Sequence, residues 1–440
     1  MSETNSIKKE KNINISNQQK SFNKKQVTIG IIGIILITLF GMYLNSGAGE
    51  LSMFLITGVF FGYILTRSRF GFAGGIKRIY MTGEGSLTKA LLVMFALTMI
   101  AMAGIHWSAV ANGAEVIPGI GSVRALNLAV IVGGFIFGIG MMLAGGCASG
   151  TLTDLGEGAI RAVIALLFFV IGAVPGHGMR YSFDQSALSN ISTTVYFPDV
   201  FGYIGAVLVS FALLGVLYVI TRKYEDMRKS QGTYEKTVFS DNELPLEDNE
   251  KFNLFSYNTY HKLFVQRWSF LLGGLLLVIM FVFVINTTGK SWGVTSAFTR
   301  WGVALLQNFG FDFSSPAYAD VVGKVDAGLL NDGGTIRNIG IIFGSALALL
   351  LAGQFKFDYN FKMKDVLLYA LGGFMMGFGA RFAKGCNIGA LYSAISNFSL
   401  HGWGFLISLS LGGMLALKLF EGKLNIIPPT RHMPKEKINN

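Results

Sequence analysis

Only two cysteines occur in the 440 residues. Two thiols cannot build a disulfide framework or a cysteine-rich metal cluster, and the five histidines show no ligand spacing. No C-x-x-C pair, cofactor-binding box or nucleotide-binding P-loop is present, so neither dithiol chemistry nor direct ATP drive has a motif behind it. Charge is scarce as well. Charged residues make up 14% of the chain, against about 25% in soluble domains, and 52% of residues are hydrophobic. So little charge cannot clothe a soluble surface, and the composition is that of a polytopic membrane protein. The charge that is present leans basic, with a formal net charge of +11. In a membrane protein the first explanation is the excess of Lys and Arg in cytoplasmic loops, with a basic path for an anion as a compatible second, so no nucleic-acid partner is expected. Proline is rare (8 residues) while glycine is plentiful (56), as where membrane helices pack backbone to backbone.

The two cysteines mark a repeat. Gly133–Gly150 reads GGFIFGIGMMLAGGCASG and Gly372–Gly389 reads GGFMMGFGARFAKGCNIG. Without a gap the two agree at nine of eighteen positions, and Cys147 and Cys386 share a column. Such a register predicts an internal duplication with one thiol site in each half.

Eleven apolar runs are candidate spans: Val27–Tyr43, Leu51–Thr66, Ala90–Ile105, Leu126–Ala144, Ala159–Val174, Tyr203–Ile220, Phe270–Ile285, Gly293–Phe309, Ile339–Gly353, Val366–Phe382 and Gly402–Leu417. A full crossing needs about 20 apolar residues, and several runs are shorter, so some are expected to be broken or re-entrant. The expected fold is all-α, with two pseudo-symmetric membrane halves, 27–220 and 268–420, broken around the Gly-Cys motifs. A linker, 221–267, separates them, opening and closing on basic residues around an acidic centre. Lysine-rich residues 1–26 read as a disordered tail and 421–440 as a second tail. Linker and tails are expected in the cytoplasm.

At each repeat an apolar helix ends in Gly-Cys and a short stretch leads to another helix. Gly146 and Gly150 flank Cys147, while Gly385, Asn387 and Gly389 flank Cys386. These glycines permit close backbone approach and leave N–H groups to face a ligand, as at the broken helices of transporters. An ordinary thiol, with a pKa of about 8.5, is mostly protonated near neutrality and donates weakly without repelling an anion. The competing reading is a cysteine packed as a small hydrophobe. Arg381 and Lys384 precede Cys386 and either attract an anion or cap a helix end. Arg300 and Arg337 lie near apolar runs and are candidates as intramembrane arginines. Asp154 and Glu157 read as solvated loop residues, Arg67 and Arg69 as topology signals, and His401 as an interfacial residue beside Trp403.

The two Gly-Cys segments, together with GYILTRSRFGFAGGIKRIYMTG at Gly62–Gly83 and WGVTSAFTRWG at Trp292–Gly302, resemble the YeeE/YedE family of bacterial membrane proteins. The resemblance covers both halves, roughly Leu51 to Leu417. It implies uptake of thiosulfate through the inner membrane, without a cofactor, by a non-enzymatic relay in which Cys147 and Cys386 contact the substrate sulfur through S–H groups. It also implies a small TusA-like cytoplasmic sulfur carrier as partner. A related branch serves selenium metabolism, so a selenium compound is the alternative substrate. Many family members carry a third cysteine in an R-x-R-F-C pattern, and here Gly71 holds that position. A membrane thiol redox enzyme or sulfurtransferase, or a membrane scaffold, are the readings from other classes.

Overall fold

The computed structural model describes residues 23–45, 51–236, 243–246, 256–359 and 361–428. The tail expected at 1–26 therefore falls outside the described residues through residue 22, as do most of the acidic centre of the linker and residues 429–440.

Nearly everything described is helical. The principal helices are α1 (Lys24–Asn45), α2 (Leu51–Ser68), α3 (Phe72–Thr82), α4 (Ser86–Ala111), α5 (Leu128–Ala144), α6 (Ala148–Gly156), α7 (Ile160–Asp184) and α8 (Phe197–Ser230). After the linker come α9 (Phe270–Thr288), α10 (Thr295–Gln307), α11 (Gly333–Leu351), α12 (Met363–Phe382) and α14 (Leu400–Phe420). Between the last two lies α13, a wide π-helical turn over Asn387–Tyr392 that continues as Ser393–Ser396. Among the described residues the only ladder pairs Leu126–Asn127 with Ser192–Thr193, antiparallel.

Ten helical stretches among the described residues are long and apolar enough to cross a membrane. The run at Gly293–Phe309 is not one of them. Its helix, α10, has 13 residues, about 20 Å at 1.5 Å per residue, and falls short of a bilayer core of about 30 Å. At the other extreme α8 runs ten residues beyond Ile220, to Ser230. Arg228 fastens that extension by donating to the carbonyls of Tyr80 and Met81 at the end of α3.

The centre is an antiparallel pair, α5 against α12. Glycine brings the two backbones together, because a Cβ at Gly140 would lie 2.6 Å from the Gly372 carbonyl oxygen and 2.7 Å from the Met376 nitrogen. Further along, a Cβ at Gly133 would lie 2.8 Å from the Gly379 carbonyl oxygen. Helix α7 packs on the α12 side of this pair and α14 on the α5 side; α2 pairs with α11, and α4 with α9. Exchanging α5 for α12, α7 for α14, α2 for α9 and α4 for α11 carries this set of pairings into itself. Helices α1 and α8 stand outside it with mostly exposed apolar faces, such as Ile32, Leu36, Ile204 and Leu208. Ranks of exposed aliphatic residues on membrane-length helices are what a lipid-facing surface requires.

Candidate functional site: two cavities and two cysteine-tipped helices

Each Gly-Cys segment turns the chain back on itself. Helix α5 ends at Gly145, whose φ of 86° is open to glycine, and Cys147 then caps the N-terminus of α6 in an extended conformation. Helix α12 ends similarly. Lys384, the counterpart of Gly145, takes φ 60°, and Cys386 caps α13, also extended. A left-handed lysine costs roughly 1–2 kcal/mol that glycine does not. The local geometry of the two copies thus agrees down to the sign of φ.

Helix α6 returns to the end of the pair from which it set out. Arg161, at the start of α7, donates to the carbonyl of Ala144, at 3.2 Å, and the Ile160 nitrogen donates to the carbonyl of Asp358 just ahead of α12. Helix α13 likewise returns to the opposite end, where Asn397 meets His106 and Ser291. The cysteine-bearing tips lie between. Asn387 donates to the Met141 sulfur, within α5, at 3.3 Å. Both thiols are buried, each 1% exposed. The Cys147 sulfur meets the Ser149 hydroxyl at 3.3 Å. The backbone amides that directly follow each cysteine belong to the first turn of a helix, where N–H groups have no intrahelical acceptor.

Two cavities approach these tips from opposite ends. One, of about 370 Å³, is walled by the loops at 119–124 and 289–296 together with Lys384, Gly385 and Gly389. Its charged lining is Arg124, Lys290 and Lys384, with no carboxylate among the described residues that line it. The other, of about 240 Å³, lies on the linker side and is lined by Arg69, Gly71, Arg78, Gly146, Cys147, Ser149, Gly150, Asp154 and Glu157 among others. Here positive and negative groups balance. Asp154 pairs with Arg161 at 2.7 Å and Glu157 with Arg69 at 2.8 Å. Burial raises the Glu157 carboxyl above the usual range, with Arg69 pulling it the other way.

A model of the sulphur transport family matches residues 67–415, a stretch containing both cysteines, the α5–α12 pair and all the lining of both cavities but Leu65. The chain belongs to this family. The resemblance to YeeE/YedE proteins is thereby borne out, and the class of activity is transport. Among curated relatives of this sulphur transporter, the thiosulfate transporter TsuA of Escherichia coli is 26% identical over 362 residues, covering 81% of this chain and 91% of that protein. The thiosulfate transporter TsuA of Spirochaeta thermophila is 28% identical over 352 residues, covering 79% and 92%. A probable transporter of Escherichia coli, YedE, is 32% identical over 152 residues, 34% of this chain and 38% of that one.

The residues singled out from this transporter's sequence do not all meet. Cys147, Gly146 and Gly150 line the linker-side cavity, and Lys384, Gly385 and Gly389 the opposite one. Asn387 is buried beside Cys386. Arg381 donates to Ser296 and meets His177 at 3.2 Å, while its Nε has no hydrogen-bond partner among the described residues. Arg300 lines neither cavity; Asp332 holds it at 2.9 Å. Arg337 is buried between α2 and α11 against Thr57 and Phe54. His401 is fully buried, its Nδ1 3.2 Å from the Ala125 carbonyl oxygen, and so faces neither lipid nor water. Asp154 and Glu157 are cavity groups rather than solvated loop residues. Arg69 enters the cavity of Cys147, whereas Arg67 is buried and donates to the carbonyls of Val265 and Gln266. Arg124 and Lys290 were missed, since each is a lone cation in a loop whose destination only the fold reveals.

Proposed function

We propose that this protein moves a small sulfur-containing anion, thiosulfate first, between the two cavities and past the thiols of Cys147 and Cys386. The observation that carries this reading is the pair of cysteine-capped helix N-termini between cavities that open at opposite ends of α5–α12. Helix N-termini favour anions, and a protonated thiol adds a donor without adding negative charge. The cationic lining of one cavity suits capture of a dianion. The names of the two TsuA relatives, matched over 91% and 92% of their lengths, supply thiosulfate. Two pseudo-symmetric halves related by an inverted repeat are supported by the exchange of helix pairs described above and by the matched turns at Gly145 and Lys384. Gly385, Asn387 and Gly389 would serve the anion at Cys386, and Gly146 and Gly150 at Cys147.

Gly71 stands where many family members have a third thiol, and a side chain has room there. A Cβ at Gly71 meets nothing nearer than the Gly74 nitrogen at 3.9 Å. The expected result is that the wild type supports growth of a thiosulfate-importer-deficient bacterium on thiosulfate as sole sulfur source, and that G71C does so at least as well. Failure of the well-expressed wild type in that assay, with labelled selenite uptake intact, assigns the protein to the selenium compound instead.

The linker side is proposed to be cytoplasmic in a bacterial inner membrane, because Arg67, Arg69, Lys77, Arg78, Lys356, Lys362 and Lys364 gather there, between and at the ends of helices. Both chain ends are then cytoplasmic, which agrees with an even number of crossings, and a small TusA-like sulfur carrier would receive the substrate on this side. Reporter fusions after Asn249 and after Asn440 are expected to show cytoplasmic enzyme activity; periplasmic activity at either point reverses the orientation.

A further inference from the structure

The linker-side cavity contains an arginine whose guanidinium is shared between two carboxylates of different origin. Arg69 sits at the break between α2 and α3 with φ 51°. Its Nη1 donates to Glu157, just past the end of α6, at 2.8 Å. Its Nη2 donates to Glu243 of the linker at 2.9 Å. Glu157 belongs to the framework, since its nitrogen continues the α6 ladder to Thr153. Glu243 arrives from residues 243–246, with only 6% of its side chain exposed. Its backbone carbonyl accepts from the Arg267 nitrogen at 3.1 Å.

Resting on the anion pathway proposed above, we infer that Arg69 is a second anion-binding site at the linker-side end, and that the Glu243 carboxylate occupies it in place of a substrate oxyanion. A planar guanidinium offers a carboxylate and a tetrahedral sulfur oxyanion the same pair of parallel N–H donors. Arg69 shares its cavity with Cys147, Ser149 and Gly71, so an anion leaving the thiols meets it next. With Glu243 in place, both terminal nitrogens of Arg69 are engaged by carboxylates, and a further anion finds neither free to donate. With Glu243 displaced, Nη2 faces the cavity, and Arg69 and Glu157 neutralise one another. The other charged groups on this cavity are Arg78 and the Asp154–Arg161 pair. The ligand class is a small oxyanion of one or two negative charges, and the linker acts as its competitor within the same chain.

The test uses G71C as a reporter thiol inside this cavity, in the full chain with both native cysteines replaced by serine, purified in detergent. Its reaction rates are measured with an anionic methanethiosulfonate bearing a sulfonate and with a cationic one bearing a quaternary ammonium. Adding Glu243→Gln removes one negative charge and keeps an acceptor for Arg69. The expected result is a rise of about tenfold in the anionic-to-cationic rate ratio, the size expected for removing one partly screened charge from the cavity wall. Glu243→Ser is measured alongside, so the reading does not hang on the folding of one variant. A ratio within about twofold of the parent in both variants overturns the inference and leaves a tie that only fastens the linker. A G71C thiol that neither reagent reaches also overturns it, because the cavity then has no entry on that side. The ratio does not depend on which anion the protein carries. Failure of wild-type thiosulfate uptake therefore refutes the substrate reading alone, and an unchanged ratio refutes the Arg69 site alone.

Discussion

Replacing either Cys147 or Cys386 by alanine is expected to cut thiosulfate uptake at least about tenfold while leaving the yield of folded protein unchanged. Each thiol is buried at the tip of a short helix, so a lost S–H donor is not replaced by water. A hydrogen bond to a charged group is worth about 1.5–3 kcal/mol, and about 1.4 kcal/mol is a factor of ten in rate. The swap of thiol for methyl changes volume little, and Cys147 has Ser149 as its one side-chain partner given above, so packing loses little. Serine is expected to fall between cysteine and alanine or to fail, because it keeps a donor but shortens its reach and exchanges a soft sulfur for a hard oxygen. Labelled uptake into vesicles, normalised to folded protein, is the measurement. Wild-type rates from both alanine variants would leave cysteine as a packing residue. A cycle through a Cys147–Cys386 disulfide makes a different forecast, that excess disulfide reductant stops turnover; the neutral-donor reading expects uptake to persist in reductant.

The largest effect on stability is expected where α5 and α12 touch. Gly140→Ala places a methyl 2.6 Å from the Gly372 carbonyl oxygen, and Gly372→Ala places one 2.6 Å from the Ala144 nitrogen. Both neighbours are backbone and cannot rotate away, so the helices must separate along their length. Overpacking of this kind costs about 1–3 kcal/mol, and more where backbone blocks relief. Either variant should lower the midpoint of thermal unfolding by several degrees and reduce the monodisperse fraction in detergent. Gly104→Ala and Gly215→Ala are the controls: nothing lies within 4 Å of a Cβ at either, and both sit within helices. Relieving a helical glycine there is expected to leave the protein equally stable or slightly more so. A loss in the controls equal to that at Gly140 would show that membrane-helix glycines matter here for something other than contact.

The two Gly-Cys segments were readable as a pair because they share small residues and the cysteine at the same spacing, whereas the shared left-handed turn was not, since glycine makes it at Gly145 and lysine at Lys384. The short helix at Gly293–Phe309 was not separable from the helices long enough to cross, since hydropathy does not reveal where a helix stops. Charge was the least legible feature. Arg69 and Arg67 stand two residues apart in one basic run, yet one lines a cavity and the other ties down the carbonyls before α9. Arg124 donates to the carbonyl of Lys384, 260 residues away. Nothing local to either residue encodes that meeting, and the same holds for Glu243 and Arg69. His401 beside Trp403 has the local look of an interfacial pair. Its burial follows from where α14 lies, packed along α5.

Two aqueous cavities that reach toward each other from opposite ends shorten the insulating part of the protein. Water at each mouth extends bulk conductivity inward, so the voltage across the bilayer falls mainly over the stretch that holds Cys147 and Cys386. A charge passing that stretch feels nearly the whole potential within one short step, about 2.3 kcal/mol per charge for every 100 mV, or about 4.6 for a dianion. On the proposed pathway the voltage dependence of transport is therefore expected to concentrate at the two thiols, and substitutions at the cavity rims should alter its salt dependence and leave its voltage dependence as it is.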